Sequence, residues 1–524
     1  MNKNCYKVMT LLVGLLILLS IFVQASFGEE LKTLVFGLHG APPTFDPANH
    51  RSRFATSVSI NWTDALVMSH PDGRQLPLVA ESITQIDPLT YEIKIRKGIT
   101  FHNGDPLTAD DVVFTYKRFF DEGGMEGKTS PRRSLFGNLD YVEKIDDYTV
   151  RAHFKDVYDE DSQASWVFAE ILPKKYFEEV GVDAFIQHPI GCGPFKFIEG
   201  NLHSQVVLER YDDYWGGNPE YPGEVDRAPA LDRLIIKFIP EPTTRIAALL
   251  TGELDIIQRV TLDTVPLLRS NPDVKVVTGP GTTINRIALN TTRPPFDDVR
   301  VRQAVAHAID YEKIVEQLYL GYSQLLGGIP NLAPVSGSTF EEYHNRLQPI
   351  EYNPEKARAL LEEAGATDIV LVLDTTQLFS EQAQVVAQML SDVGIETSVR
   401  VWDESVIVEM VKQPEMGGRD AYLYTIGNST RTPLSVSVWA GTGAVLNYSH
   451  YSNPDLDDLL DRVRSAPIGK ERNEILFEVY EFLMEEVPYI NLHIPYLVEA
   501  TRSNVINYTP HYQDRMYMHR VDIE

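Results

Sequence analysis

Residues 91–120 read YEIKIRKGITFHNGDPLTADDVVFTYKRFF, and they set the local architecture of the chain. Tyr91, Ile93 and Ile95 alternate with polar residues, which is the period of a half-buried strand. Asn103-Gly104 is a tight-turn pair, and Thr108 with Asp111 at N3 is the signature of a capped helix start. Strand, turn and capped helix in this order imply an α/β chain.

Working outward, the amino end carries a different signal. Lys3 and Lys7 precede an apolar run of 13 residues from Leu11 to Val23, and Ser26 and Gly28 put small residues at minus three and minus one of a cleavage point after residue 28. A spanning helix needs roughly 20 apolar residues. The pattern is therefore a secretory signal peptide at 1–28, and no cysteine stands at its end for a lipid anchor.

The 524 residues exceed what one core serves, so more than one domain is expected. Net charge is −27, a surface that repels nucleic acid and anionic lipid. Of two cysteines, Cys5 leaves with the signal, so Cys192 has no partner for an internal disulfide. Between Gly191 and Gly193 it reads as a small buried residue, the glycines permitting close backbone approach and positive φ. Enzyme signatures are missing: there is no GxSxG, GxxxxGK[ST], HExxH or CxxC. Acid pairs such as Asp110-Asp111 and Glu485-Glu486 are adjacent, so they point apart rather than at one bond. No two histidines have helical metal-ligand spacing. These readings predict no catalytic residue, no metal and no cofactor; a secreted hydrolase is the enzyme alternative.

The run 91–120 closely resembles the signature of family 5 extracellular solute-binding proteins, the receptors of peptide, nickel and oligosaccharide ABC importers. The resemblance continues in order along the chain: 78–82 (LVAES), 190–195 (IGCGPF), 214–219 (YWGGNP), 253–256 (ELDI), 294–304 (PPFDDVRVRQA), 454–460 and 471–488. It implies a bilobal periplasmic binding protein fold, type II and cluster C-like, with an extra small domain on the first lobe. The expected division is lobe I at 29–60, 187–280 and 488–524, the small domain at 61–186, and lobe II at 281–487. The implied role is a monomeric periplasmic receptor that passes a ligand to ABC transporter permease subunits.

Site residues follow from the same resemblance. In the family, the loop beyond Asp46 and the chain beyond Asp255 face the ligand cleft, which nominates Asn49, His50, Arg51 and Arg53, and then Gln258 and Arg259. Trp402 and Trp439 are the aromatic candidates of the second lobe. At 422–433, di- and oligopeptide receptors carry an Asp that holds the peptide ammonium; this chain has Asn428, followed by Ser429 and Arg431. A neutral Asn disfavours a buried free amino terminus, whereas Arg431 is suited to a carboxylate. Arg300 and Arg302 read as structural ion-pair partners. A short or modified peptide is the first expected ligand, with an opine, an oligosaccharide or chelated nickel as alternatives.

Overall fold

The computed structural model describes residues 31–71, 75–136, 138–155, 165–217, 228–279, 281–329, 341–366, 368–413, 419–427, 435–466 and 469–524. The signal expected at 1–28 lies outside them, as do Asn428, Ser429 and Arg431.

The first sheet has seven strands in the order Val274–Gly279, Leu497–Arg502, Ile256–Ile257, Thr33–Leu38, Arg233–Phe238, Gln205–Arg210, Phe195–Asn201. Its centre is parallel, with Thr33–Leu38 flanked by Arg233–Phe238 and Ile256–Ile257. Leu234, Ile236 and Phe238 alternate inward, as a strand's period of two requires. The helix Pro242–Thr251 packs beside these strands; Glu241 caps it by accepting from Thr244 N at 2.6 Å, and Gly252 ends it at φ +80°.

The second sheet has six strands: Ser323–Gly328, Tyr489–Pro495, Thr283–Leu289, Ala421–Gly427, Val370–Thr376, Glu396–Trp402. Ile287, Leu289, Leu371 and Leu423 face one apolar core, and Ile284, Ala288, Tyr422 and Tyr424 face another. Arg300 and Arg302 have the expected structural role: Arg300 Nη2 pairs with Asp298 at 2.5 Å and Arg302 Nη2 with Glu486 at 2.9 Å.

Among the described residues the chain passes between the two sheets twice, from Gly279 to Thr283 and from Pro495 to Leu497. The second crossing corrects the boundary expected at 488. Tyr489–Pro495 pairs with Thr283–Leu289 and Ser323–Gly328, so the chain returns to the first sheet only after Tyr496. The reason is apolar: Ile490, Leu492 and Ile494 are buried in the second sheet's cores. The crossings touch each other, because a Cβ on Gly281 would lie 2.0 Å from Pro495 O.

A four-stranded antiparallel sheet, Ala80–Asp87, Thr90–Ile95, Thr149–Phe154, Leu139–Asp146, holds the opening stretch of sequence. Asp111 Oδ2 accepts from Thr108 N at 2.9 Å, which is one half of the expected cap. Its Oδ1 accepts from Lys174 N at 2.9 Å, so the same carboxylate ties helix Ala109–Phe120 to the start of helix Lys174–Gln187. The small sheet shares one continuous core with the first sheet.

Gly191 and Gly193 act through close approach alone, and neither has positive φ. A Cβ on Gly191 would lie 2.2 Å from Trp62 O, and one on Gly193 2.6 Å from Thr63 N, while Gly193 N donates to Trp62 O at 3.1 Å. Backbone presses on backbone here, and neither side has a rotamer to yield. Gly191→Ala is therefore expected to lower the unfolding free energy by about 2 kcal/mol or more. Gly427→Ala, where nothing lies within 4 Å of the added Cβ, is expected to be near neutral. Urea denaturation of both variants checks this, and equal midpoints would contradict it.

Candidate functional site

The site follows from strand direction. Parallel strands Thr33–Leu38, Arg233–Phe238 and Ile256–Ile257 end at one edge of the first sheet, the edge from which Gly279 leaves toward the second. In the second sheet, Val370–Thr376, Glu396–Trp402 and Ala421–Gly427 end at the edge where Thr283 enters. Both crossings therefore join carboxyl edges, and open α/β sheets bind ligands outside those edges.

Arg245 holds the first edge together. It is buried, and its guanidinium donates to the carbonyls of Ile239 and Pro240 at 2.7 Å each, Gln258 at 3.2 Å and Arg259 at 3.3 Å. One side chain thus fixes the loops that follow Arg233–Phe238 and Ile256–Ile257, the two strands that flank Thr33–Leu38. Gln258 is 2 % exposed; its Oε1 lies 3.0 Å from His39 Nδ1, and its amide bonds the buried Glu499. Arg259 Nη2 pairs with Asp514 Oδ2 at 2.6 Å, and Arg53 Nη1 reaches the same oxygen at 3.1 Å. Both partners of the Arg259–Asp514 pair lie in the left-handed region, at φ +54° and +58°. Two such residues in contact cost about 1–3 kcal/mol each and mark a place where position matters more than local comfort. Asp514 Oδ1 is buried with no hydrogen-bond partner.

The loop carrying the first candidates is pinned from below. Buried Asp46 pairs with Arg118 Nη2 at 2.8 Å, and Ser130 Oγ donates to Ala48 O. Asn49 is exposed, whereas His50 is buried. Arg132 donates to His50 O at 3.1 Å, Phe168 O at 2.9 Å and Thr56 Oγ1 at 2.6 Å, approaches the His50 ring, and forms a fully buried pair with Glu170. Burial, then the Arg132 charge, pushes His50 down to about 2, so it is neutral at physiological pH. Arg51 is exposed and makes no hydrogen bond or ion pair with the described residues. It borders a cavity of about 210 Å³ with Arg53, Arg132, Phe168, Gln513 and Arg515.

The first-lobe candidates are thus brought together: Arg51, Arg53 and Arg132 share the cavity, and Arg53 connects through Asp514 to Arg259, which follows Gln258. The two tryptophans are not. Trp402 ends its strand at the carboxyl edge, where its Nε1 donates to Asp374 Oδ1 at 2.7 Å beside the bidentate Arg400–Asp374 pair. Trp439 is 7 % exposed within the second lobe's core, its ring 4.2 Å from the Arg286 guanidinium. Arg286 donates through Nε to Asn491 Oδ1 at 2.8 Å and lies buried beside Tyr424. Among the described residues no group of three or more His, Cys, Asp or Glu could hold a metal ion. No described helix is long and apolar enough to cross a membrane.

Sequence reading missed His39, Arg132, Arg245, Glu499, Asp514 and Arg515. The density of histidine, aromatic and charged residues at 511–519, HYQDRMYMH, is the signal that marks the tail as a site element.

Two α/β lobes with their carboxyl edges joined by paired crossings define a two-lobed solute receptor. The chain belongs to the bacterial extracellular solute-binding proteins, family 5, whose model matches residues 75–445. Members of this family are transport receptors rather than enzymes. The chain is 28% identical to the oligopeptide-binding protein AppA of Bacillus subtilis (strain 168), over 98% of each chain. It is 26% identical to di/tripeptide-binding protein 2 of Pseudomonas aeruginosa (strain UCBPP-PA14), over 94% of this chain and 95% of the relative. The structure of HbpA2 from Haemophilus parasuis superposes with a TM-score of 0.81 at 23% identity, covering 94% of this chain and 100% of that one.

Glu499 gives this edge a pH dependence of known sign. Burial first of all pushes its carboxyl up from 4.5 to about 8, against the Tyr508 and Gln258 hydrogen bonds. A pKa raised on folding gives stability that is whole below the unfolded value and is lost as pH rises through the folded one. Between pH 6.5 and 8 the loss is about 2 kcal/mol, from 1.36 kcal/mol per unit. The buried His39, His50 and His493 are pushed down to about 4, 2 and 3, so their contributions fall away only below pH 6.5. Thermal unfolding from pH 6.5 to 9 is expected to destabilise the wild type more than Glu499→Gln. Parallel curves would exclude Glu499 as the source.

Proposed function

We propose that this protein is the substrate-binding component of an ABC importer, working in the periplasm as a monomer. It captures a short or modified peptide between its two lobes and delivers it to the permease subunits. The observation that carries this reading is the family match across residues 75–445 on a chain whose two large sheets are joined, among the described residues, by two short crossings. The peptide-binding relatives, similar over nearly their whole length, support the ligand class. The secretory pattern at 1–28 supports export, and the missing catalytic signatures support a role without chemistry. We take lobe II to run from 281 to 495. On the first lobe the ligand meets Arg51, Gln258 and Arg259, with Asn49 at the rim and His50 as a neutral support. On the second it meets Trp402 and the segment bearing Asn428, Ser429 and Arg431, with Trp439 behind it.

Closure of two lobes on a ligand shortens the molecule. Small-angle scattering is expected to show a smaller radius of gyration once a di- or tripeptide that binds by calorimetry is saturating. An unchanged radius with a bound peptide would count against the receptor mechanism.

The neutral Asn428 gives a second test. Asn428→Asp supplies a carboxylate for a peptide's amino terminus and is expected to strengthen binding by about 1.5–3 kcal/mol, the range for a hydrogen bond to a charged group. Calorimetry with free and N-acetylated dipeptides checks it. Equal affinities of both proteins for the free dipeptide would place the ammonium elsewhere.

A further inference from the structure

We propose that the cavity bordered by Arg51, Arg53, Arg132 and Arg515 is a carboxylate subsite, so that the preferred ligand is a peptide bearing an acidic side chain. This inference rests on the peptide-receptor reading above and names the ligand class within it.

The charge at the cavity is unusual for this chain. The protein carries a net charge of −27, yet among the described residues no Asp or Glu borders the cavity. Four arginines do, and the carboxylates near them are already engaged. Glu170 is consumed by Arg132 inside the protein. Asp514 offers one oxygen to Arg53 and Arg259 together. His50 adds no charge, being buried and neutral. Arg515 is 5 % exposed, lies 5.3 Å from the Phe168 ring and donates only to the Tyr517 hydroxyl at 3.1 Å among the described residues. Arg51, at the mouth, has no partner among them. A nearly buried guanidinium and an exposed one thus border the same space, and both keep donors open to an anion.

Size limits what that anion belongs to. Ligand pockets that enclose a whole small molecule span roughly 300–1,000 Å³. About 210 Å³ is too small for a peptide and suits one acidic side chain. The planar fork of arginine matches a carboxylate in two parallel hydrogen bonds. The subsite adjoins the carboxyl edge of the first sheet, because Arg53 links it through Asp514 to Arg259. A ligand backbone at that edge leaves its side chain within reach of the cavity.

Matched peptides test the proposal. Calorimetry is run on wild type and Arg51→Ala with di- and tripeptides that differ only by Glu or Gln at one position. Arg51 is exposed, so the variant is expected to fold with unchanged thermal stability. The wild type should bind the Glu peptide at least tenfold more tightly than its Gln partner, and Arg51→Ala should lose most of that ratio. Peptides that bind with no Glu preference would overturn the subsite and leave the peptide receptor standing. A parallel arm uses citrate and inorganic phosphate without peptide, read as protection against thermal unfolding. If no peptide binds, yet citrate protects the wild type and not Arg51→Ala, the peptide reading fails and the carboxylate subsite survives. Equal citrate protection of both proteins, or phosphate protecting as well as citrate, would overturn it.

Discussion

The first lobe's working edge depends on one buried guanidinium. Strand ends leave carbonyls without ladder partners, and a buried carbonyl left unpaired costs about as much as a lost hydrogen bond. Arg245 answers four of them at the ends of the two strands that flank Thr33–Leu38. Its own charge is met by carbonyl dipoles and by the field of Glu241, and burial still lowers its pKa. The geometry of Gln258 and Arg259 descends from this arrangement: their carbonyls are held, so their side chains project from a fixed backbone. The positive φ of Arg259 is sustained by the same clamp.

The crossings impose a second constraint. With Gly281 against Pro495 O, the two connecting segments are in contact and must move as a pair. Tyr496 N donates to Tyr322 O at 3.1 Å, which fastens the second crossing to the chain entering the second sheet. Gly281 permits the contact between the crossings, because any side chain there would meet the Pro495 carbonyl, and paired crossings of this kind suit the lobe closure proposed above.

Local pattern made much of the fold legible. The strand at 91–95, the cap at Thr108 and Asp111, the helix closed by Gly252 and the ion pairs of Arg300 and Arg302 all depend on residues near in sequence or on simple periodicity. The boundary at 488 is not legible, because the strand 489–495, YINLHIP, is buried on both faces and nothing local says which of two sheets will pair with it. Of the close approach and positive φ that the glycines of 190–195 permit, only the close approach holds, and its partners Trp62 and Thr63 lie more than a hundred residues earlier. Site residues divided in the same way. Gln258 and Arg259 are nominated by the recognisable run they follow, whereas Asp514 and Arg515 come to the loop at 46–53 only through folding.

Residue type alone could not sort the arginines, and their hydrogen-bond saturation does. Arg132, Arg245 and Arg302 are buried and each makes several bonds to carbonyls or carboxylates. Removing such a group strands its partners, a cost of about 3–5 kcal/mol for a buried ion pair, so these residues are framework. Arg53 and Arg259 keep 49% and 45% of their side chains exposed and share a single carboxylate oxygen. Asp514 itself is buried, so only the arginine ends of these pairs reach solvent. What remains unsatisfied lies at those ends: donors held in place by Asp514 at the edge where the strands end.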